Sequence, residues 1–566
     1  MSYILEWQDM RHELAQTITK ICKDLFNTEL VVELTRPDEQ FGDFSTNVAL
    51  QLANKLDQKP RDIAQSIADK LKTTPNITSV EVAGPGFLNI TLDDQALIDL
   101  TQQKPAQTLA GQTVVAEYSD PNPFKVLHAG HLYTTITGDA IAKLLETAGA
   151  KVHRLNYGGD VGLHVGKTMW AIIQFLGGEN PEQLNDVDAS NRLEWLSERY
   201  VEGNSAYEDD EHAKPEIIEM NKRVYQLHSG SDHDSPFAQI YWTCRQWSYE
   251  GFDNLYEQLQ ITPFEKYLPE SEVTPLGIEM VQKGLKNGVF ENSDGAVVFK
   301  GEDMGLHTRV FLNSEGLPTY EAKDLGLAAY KWQQYKFDLN VIITANDIVE
   351  YMKVVLAALD NFYPEVAKRT KHFTHGVIKL PGGVKMSSRK GNILRAIDIL
   401  DAAHTANKAS TGQDNNMTVL AAVKYAFLKN RIGGDVIYDP AESVALEGNS
   451  GPYLQYAHAR ARSILAKAKI TDDKQLTADS LEGGERSLVR KIGEYSEVVD
   501  RAVTELMPHH VCTYLYELAQ EFNRFYEKNR VIGDKREDLR LHLVEAYADT
   551  LKNGLELFNI PAPDKM

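Results

Sequence analysis

The 566-residue chain has three cysteines, no apolar run long enough to cross a bilayer and no surplus of positive charge. Each lack excludes something. Cys22, Cys244 and Cys512 stand hundreds of residues apart, so no disulfide framework or zinc-ligand spacing is present, and a reducing, cytoplasmic setting without zinc is expected. A membrane span would need roughly eighteen or more consecutive apolar residues, and none is found. The first residues include Glu6, Asp9, Arg11 and Glu13 and lack the basic start and apolar core of a secretory signal. With 59 Lys+Arg against 81 Asp+Glu, the net charge of −22 excludes coating nucleic acid by bulk charge, although local basic patches remain open. Common nucleotide and hydrolase fingerprints are missing too. No GxGxxG opens a helix and no GxSxG elbow occurs; Gly166-Lys167-Thr168 lacks the earlier glycine of a phosphate loop, because Val161 occupies that place.

What is there is ordinary globular sequence, 42% hydrophobic and 25% charged, long enough for three or four domains at roughly 100–200 residues each. Residues 1–104 mix helix and strand signals. Asn54 to Leu71 reads as helical around Pro60, Val80 to Val82 as a strand, and Gly84-Pro85-Gly86 turns into an alternating strand from Phe87 to Leu92. A linker follows at Lys104 to Gln112. From Thr113 the pattern becomes strand (Thr113 to Glu117), Pro/Asn-rich turn, helix (about Gly130 to Ala148) and strand (Lys151 to Leu155). Parallel units of this kind carry ligands at the carboxyl ends of their strands, so residues 118 to 131 sit where a nucleotide would. Asp338 to Thr344 and Phe373 to Leu380 read as later strands of the same sheet, with Ile348 to Leu359 a helix between them. The catalytic region is drawn at 112–378, with an insertion at about 176–300 and a connector at 379–410. Within the insertion, Leu176 to Ile240 holds 15 acidic against 5 basic residues and reads as a solvated face without assigned function. Beyond 411 strand signals vanish, and apolar residues recur at helical spacing in 419–428, 453–465, 487–506, 511–526 and 539–557, which predicts an all-α bundle.

Two motifs carry chemistry. His128-Ala129-Gly130-His131 follows the first sheet strand, with Pro121-Asn122-Pro123-Phe124-Lys125 before it. Small residues between the imidazoles let backbone approach a ligand at a helix start, where N–H groups and the helix dipole favour phosphate, and the rings would stabilise developing phosphoryl charge. On its own the string also fits a turn of buried histidines or a metal pair; metal is disfavoured because no further ligand stands at usual spacing. Some 250 residues downstream, Gly382-Gly383-Val384-Lys385-Met386-Ser387-Ser388-Arg389-Lys390-Gly391-Asn392 places three cations between glycines, a basic loop able to close over a polyphosphate or, taken alone, a solvated surface loop.

The pair HAGH and KMSSRK resembles the two signatures of class I aminoacyl-tRNA synthetases, and their flanks resemble the arginyl-tRNA synthetase family over nearly the whole chain. Residues 41–50 (FGDFSTNVAL) and 82–90 (VAGPGFLNI) look like its N-terminal tRNA-contacting domain, while 117–122 (EYSDPN), 156–160 (NYGGD) and 317–324 (LPTYEAKD) resemble its catalytic core. Residues 451–460 (GPYLQYAHAR) and 514–526 (YLYELAQEFNRFY) look like its anticodon-binding bundle. The resemblance implies an α/β fold: a class I Rossmann-type parallel-sheet catalytic domain with an insertion, an N-terminal α+β domain and a C-terminal helix bundle at 411–566. It implies ATP-dependent activation of L-arginine to arginyl-adenylate, pyrophosphate release and transfer to the 3′-terminal adenosine of tRNA(Arg), with Mg²⁺ accompanying ATP and the enzyme a monomer.

It also implies roles for residues. Lys125, His128, His131, Lys385, Arg389 and Lys390 would act on the phosphates, and Ala129, Gly130, Met386, Ser387 and Ser388 would line the ATP site. Glu117 and Asp324 would grip the guanidinium, whose planar donors suit paired carboxylates, with Tyr320 as a wall and Asn122 on the amino group. Tyr453, Tyr456, Arg460 and Met566 would meet tRNA, with Arg462 a further phosphate contact, while tyrosines packed into the bundle core are the other reading of the two aromatics. Ser388 stands where many class I enzymes have the second lysine of KMSKS, and Lys125 stands in the compensating place before HAGH. Gly159-Asp160-Val161-Gly162-Leu163-His164 departs from the family pattern, which commonly has an aromatic residue after the Asp, where Val161 stands, and a Gln near His164. Cysteine- and methionine-type synthetases often carry zinc, against which the scattered cysteines speak; a non-catalytic tRNA-binding relative is the rival from another class, against which intact Lys125, His128, His131 and Lys385 speak.

Overall fold

The computed structural model describes residues 10–381, 394–468 and 480–566. Its centre is a five-stranded parallel sheet built from β1 (Thr113–Glu117), β2 (Lys151–Gly158), β3 (Lys266–Pro269), β4 (Leu339–Ala345) and β5 (Thr370–His375), in the order β5-β4-β1-β2-β3. Val114, Val115 and Ala116 of β1 are all fully buried, as are Val341 and Ile343 of β4. Such continuous apolar runs belong to strands covered on both faces. The strand order reverses between β1 and β4, which pair in register with Glu117 opposite Ile342, and the crevice outside their carboxyl ends is where open α/β sheets bind ligands.

Two excursions interrupt the sheet. After β2, the helices Leu163–Phe175, Arg192–Asp209, Ala213–Gly230 and Pro236–Gln258 share a separate core of Met169, Ile172, Leu196, Val224, Tyr241 and Cys244. After β3 come the helix Glu270–Lys286, a three-stranded antiparallel sheet within 291–312 and the helix Tyr320–Tyr335. Gly277 and Gly326 let these two helices touch backbone to backbone: a Cβ at Gly277 would lie 2.0 Å from Ala322 O, and one at Gly326 would lie 2.4 Å from Val273 O. That closeness brings residues 270 and 323 together.

The N-terminal unit lays Met10–Phe26, Val48–Leu56 and Pro60–Leu71 against a three-stranded antiparallel sheet. It docks on the C-terminal helices through polar contacts. Arg486 bonds Asp43 (2.6 Å) and Asp94, while Arg36 pairs with Glu497 at 2.6 Å. Lys424, buried in the helix Asn416–Leu428, donates to the carbonyls of Gln260 (3.3 Å), Phe558 (3.1 Å) and Asn559 (3.4 Å), tying catalytic region to C-terminal tail.

Several expected elements are divided. The helical stretch 54–71 breaks at Asp57, which is left-handed, because Lys59 precedes Pro60 and is held extended. Phe373 to Leu380 is not one strand of the central sheet: β5 ends at His375, and Ile378–Lys379 pairs with Val436–Ile437, a short strand beyond 411 where none is expected. Close approach forces the break, since a Cβ at Gly376 would meet Gly434 O at 2.5 Å. The stretch 487–506 is two helices, Gly483–Ile492 and Tyr495–Glu505, parted at Gly493, against which Leu100 of the N-terminal unit packs. The region 176–300 is not wholly insertion either, because it contains the edge strand β3.

Candidate active site

Between the end of β1 and the helix Ala129–Thr147, the chain turns with three non-glycine residues at positive φ: Ser119 (77°), Asp120 (50°) and Phe124 (67°). Backbone strain of this sort persists only where surroundings enforce it. Here Asp120 Oδ1 accepts from Tyr157 N–H (2.7 Å), Asn122 Oδ1 accepts from Gly159 N–H (2.7 Å), and Phe124 N–H donates to Ser248 Oγ (2.9 Å). The end of β2 and the helix Pro236–Gln258 therefore clamp the turn.

His128 caps the helix. Its backbone N–H donates to His131 Nδ1 (3.2 Å), and His131 N–H donates to His128 Nδ1 (3.3 Å), with the rings stacked 3.7 Å apart. Both Nδ1 atoms accept, so each neutral ring carries its proton on Nε2. Burial, with the Lys125 charge nearby, pushes His128 down to about 4 and His131 well below its ordinary value, which keeps the rings neutral at physiological pH. A side chain at position 130 is excluded, since a Cβ at Gly130 would lie 2.9 Å from the His128 ring.

A cavity of about 520 Å³ opens beside this turn at the sheet's reversal point, lined among others by Glu117, Asn122, His128, Gly130, His131 and Tyr320. Asp324 lies on its wall as well, one turn after Tyr320 on the same helix, as do Asp120, Glu270 and Asp347. Glu117, 4% exposed, accepts from Lys331 Nζ at 2.6 Å. Asp324 Oδ2 accepts from Tyr351 OH at 2.6 Å, and burial, with Glu117 and Glu270 nearby, raises its carboxyl to about 7. Asp120 is raised too, first by burial and then by Glu117. Burial thus disfavours ionisation of two of the acids on the cavity wall, Asp120 and Asp324.

Asn122 has a task the sequence does not reveal: its acceptor oxygen fastens the Gly159 loop. Glu270, unmarked by any motif, lies at the same spot, for a Cβ at Gly159 would meet Asn122 Oδ1 at 2.7 Å and Glu270 Oε1 at 3.0 Å. Glu270 Oε2 accepts from Lys323 Nζ at 2.6 Å. His164 is buried, its Nε2 2.8 Å from Gly159 O, so it props the same loop from beneath. Asp160, fully buried, binds Arg245 (3.1 Å) and Ser271 Oγ (2.8 Å) and fastens the insertion to the sheet. Glu270 and Lys331 carry no sequence signal, Tyr351 none beyond lying in the expected helix Ile348 to Leu359, and Lys323 falls within the 317–324 stretch without a role of its own.

Lys125 and Ala129 lie outside the cavity lining. The Lys125 amine rests 4.3 Å from the Tyr200 ring centroid, lowered to about 8 by burial and by Lys167. Lys385, Met386, Ser387, Ser388, Arg389 and Lys390 lie outside the described residues. The chain after them returns to the histidine turn: Ala129 N–H donates to Leu394 O (2.8 Å) and Ala396 N–H to Leu127 O (2.9 Å).

On the helix Gly451–Lys467, Tyr456 is 45% exposed, whereas Tyr453 is half-buried and its OH accepts from Asn523 Nδ2 (2.9 Å). The Arg460 guanidinium lies 4.7 Å from the Tyr526 ring centroid, Arg462 is paired with Asp549 at 2.6 Å, and Met566 is 52% exposed.

The family model for the class I (R) tRNA synthetase catalytic domain matches residues 94–441, that for the DALR anticodon binding domain matches 454–566, and that for the arginyl tRNA synthetase N-terminal domain matches 8–92. The arginine--tRNA ligase of Haemophilus ducreyi is 30% identical, over 95% of this chain and 98% of its own. That of a Synechococcus species is 30% identical over 95% of each. Among solved structures, Thermus thermophilus arginyl-tRNA synthetase shares the fold with a TM-score of 0.79 at 24% identity, covering 99% of this chain and all of that one. A parallel sheet with its histidine turn and acid cluster at the reversal point, flanked by these two further domains, is what those matches span, and the chain belongs to the class I arginyl-tRNA synthetase family.

Proposed function

We propose that the protein is an arginine--tRNA ligase that activates L-arginine with MgATP and transfers it to the 3′-terminal adenosine of tRNA(Arg), acting as a cytoplasmic monomer. The observation that carries this reading is one cavity lined by Glu117 and Asp324 as well as by a helix-capping pair of neutral histidines. A guanidinium needs opposed acceptors, and Glu117 and Asp324 supply them, with Tyr320 as the outer wall and Asn122 and Glu270 near the α-ammonium. That orients the arginine carboxylate toward the histidine turn.

One carboxylate oxygen attacks the α-phosphorus of ATP; the new P–O bond forms as the bond to the bridging oxygen breaks and pyrophosphate leaves with the electron pair. The Nε2–H groups of His128 and His131 donate to the phosphoryl oxygens as charge builds, and the first N–H groups of the Ala129–Thr147 helix add their dipole. Close approach by the ligand relies on the bare backbone of Gly130, with Ala129 behind it at the edge of the ATP site. Lys125, with Lys385, Arg389 and Lys390, neutralises the triphosphate, while Met386, Ser387 and Ser388 complete the ATP site; Mg²⁺ enters as part of the substrate. The tRNA ribose hydroxyl then attacks the adenylate carbonyl and AMP leaves. Tyr456 and Met566 offer exposed surfaces for the anticodon, with Tyr453 and Arg460 behind them. The three cysteines are buried and free, which supports a reducing compartment, and the monomeric state rests on the family resemblance.

Charging total tRNA with each of the twenty amino acids tests the reading. Arginine alone should be esterified, with pyrophosphate exchange dependent on arginine; tight tRNA binding without either would leave only a binding module.

A further inference from the structure

Lys331 lies on the Tyr320–Tyr335 helix, seven residues after Asp324 and so on the same face. It is 1% exposed and bonds Glu117 Oε2 at 2.6 Å, across a sequence separation of 214 residues. A buried ion pair of this kind is seldom the most stable choice, since an apolar pair of equal volume often serves the fold as well or better. Its position beneath the acid cluster suggests another use. With Lys331 on Oε2 and Tyr351 on Asp324 Oδ2, each acid keeps one oxygen that makes no hydrogen bond among the described residues, Glu117 Oε1 and Asp324 Oδ1. Behind the pair is a cavity of about 20 Å³, bounded by Glu117, Asp324, Lys331, Asn340 and Thr370, room for one water beside the unpartnered Asn340 Oδ1. Leu327, Met352, Val355 and Leu359 are among the rest of its wall, so Lys331 reaches Glu117 through largely apolar surroundings.

We propose that Lys331 is a positioning and specificity-determining residue for arginine: by occupying one oxygen of Glu117 it turns the other toward the substrate and leaves a receptor for one further, planar cation. The inference rests on the arginine-activating reading. Around Glu117 the charged and titratable groups are Asp120 on its own turn, Tyr157 on β2, Asp324 and Lys331 on the Tyr320–Tyr335 helix and Tyr351 on the helix after β4. One cation thus faces three acids, and arginine brings the second. A primary ammonium has no fork to span two separate oxygens, so lysine and ornithine are poorly held. Lys331 also lowers the carboxyls of Asp120 and Asp324, and without it both would take up protons more readily.

The test uses full-length enzyme charging tRNA(Arg) between pH 6 and 9. Lys331→Met should raise KM for arginine roughly ten- to a hundredfold while KM for ATP stays within about twofold, because an acid misplaced by an ångström loses that much. Its acid limb in kcat/KM for arginine should move up by about one pH unit, and Lys331→Arg should restore both. Should the methionine variant not fold, Lys331→Gln, which keeps a donor without charge, takes its place under the same expectations. An unchanged KM for arginine, equal rises for arginine and ATP, or an arginine variant no better than the methionine one would overturn the proposal. Wild-type enzyme that charges arginine beside such results would leave the parent reading standing; wild-type enzyme that charges no arginine would end both.

Discussion

Asp324→Asn removes a carboxyl that the empty protein ionises with difficulty. Raising that group from the usual 3.8 to about 7 costs about 4 kcal/mol of folding free energy at pH 8, where it is forced to ionise in both states. The sign follows from proton uptake. Below about pH 4 the carboxyl is protonated folded and unfolded, and no penalty exists; between 4 and 7 the unfolded chain sheds its proton first, so stability falls as pH rises, and above 7 the full penalty remains. Asp120, itself raised by burial and set against Asp324, spreads the effect, so a gain of about 2–4 kcal/mol is expected for the variant at pH 8, shrinking towards pH 5. Tyr351 OH still finds the amide oxygen. Guanidinium binding, by contrast, should collapse, with kcat/KM for arginine down about a thousandfold or more from loss of a charged acceptor. Unfolding of ligand-free wild type and variant, followed by denaturant titration at pH 5, 6.5 and 8, measures the first effect, and charging kinetics the second. A variant less stable at pH 8, or equally shifted at all three values, would refute the account of Asp324 as a strained acid awaiting a cation.

Gly130→Ala places a methyl 2.9 Å from the His128 ring and should unstack the histidine cap, lowering kcat at least tenfold at saturating arginine with little change in KM for arginine. Steady-state charging reads this directly. Arg486→Ala strips a partner from Asp43 Oδ2, which keeps Leu92 N–H at 2.8 Å, while Arg490 Nε stays 3.6 Å from Oδ1. Stability of the N-terminal unit should fall by about 2–4 kcal/mol, seen as faster amide exchange in 44–46 and 87–92 while the central sheet is unaffected. Tyr456→Ala removes an exposed aromatic face and should raise KM for tRNA(Arg) by roughly tenfold, about 1–2 kcal/mol of base stacking, with arginine and ATP kinetics unaltered.

Much of the site's frame is legible in the sequence because it is local. β1, the Pro/Asn turn and the Ala129–Thr147 helix lie within 113–147, and apolar period and turn residues within such a span identify them. Tyr320 and Asp324 come from the family resemblance of residues 317–324, and the helix Tyr320–Tyr335 that carries them has no counterpart among the expected elements. β3, only four residues long and at the sheet's edge, has too little pattern to stand out from the helices before it. The breaks at Gly376 and Gly493 are decided by what presses on them, Gly434 in one case and Leu100 in the other, and no flanking residue announces either.

The sequence by itself determined the parallel β-turn-α-β unit, the acids, histidines and cations available, and where along the chain each falls, since secondary structure and turn chemistry are set by neighbours within a few positions; the class I architecture follows from the motif resemblance. Only the tertiary structure decided how those groups are spent: Lys331 on Glu117, Tyr351 on Asp324, Lys323 on Glu270, Gly159 on Asn122. These pairings depend on helices meeting at glycines and on strands reordered in space, and the field each acid feels comes from burial that no local pattern records.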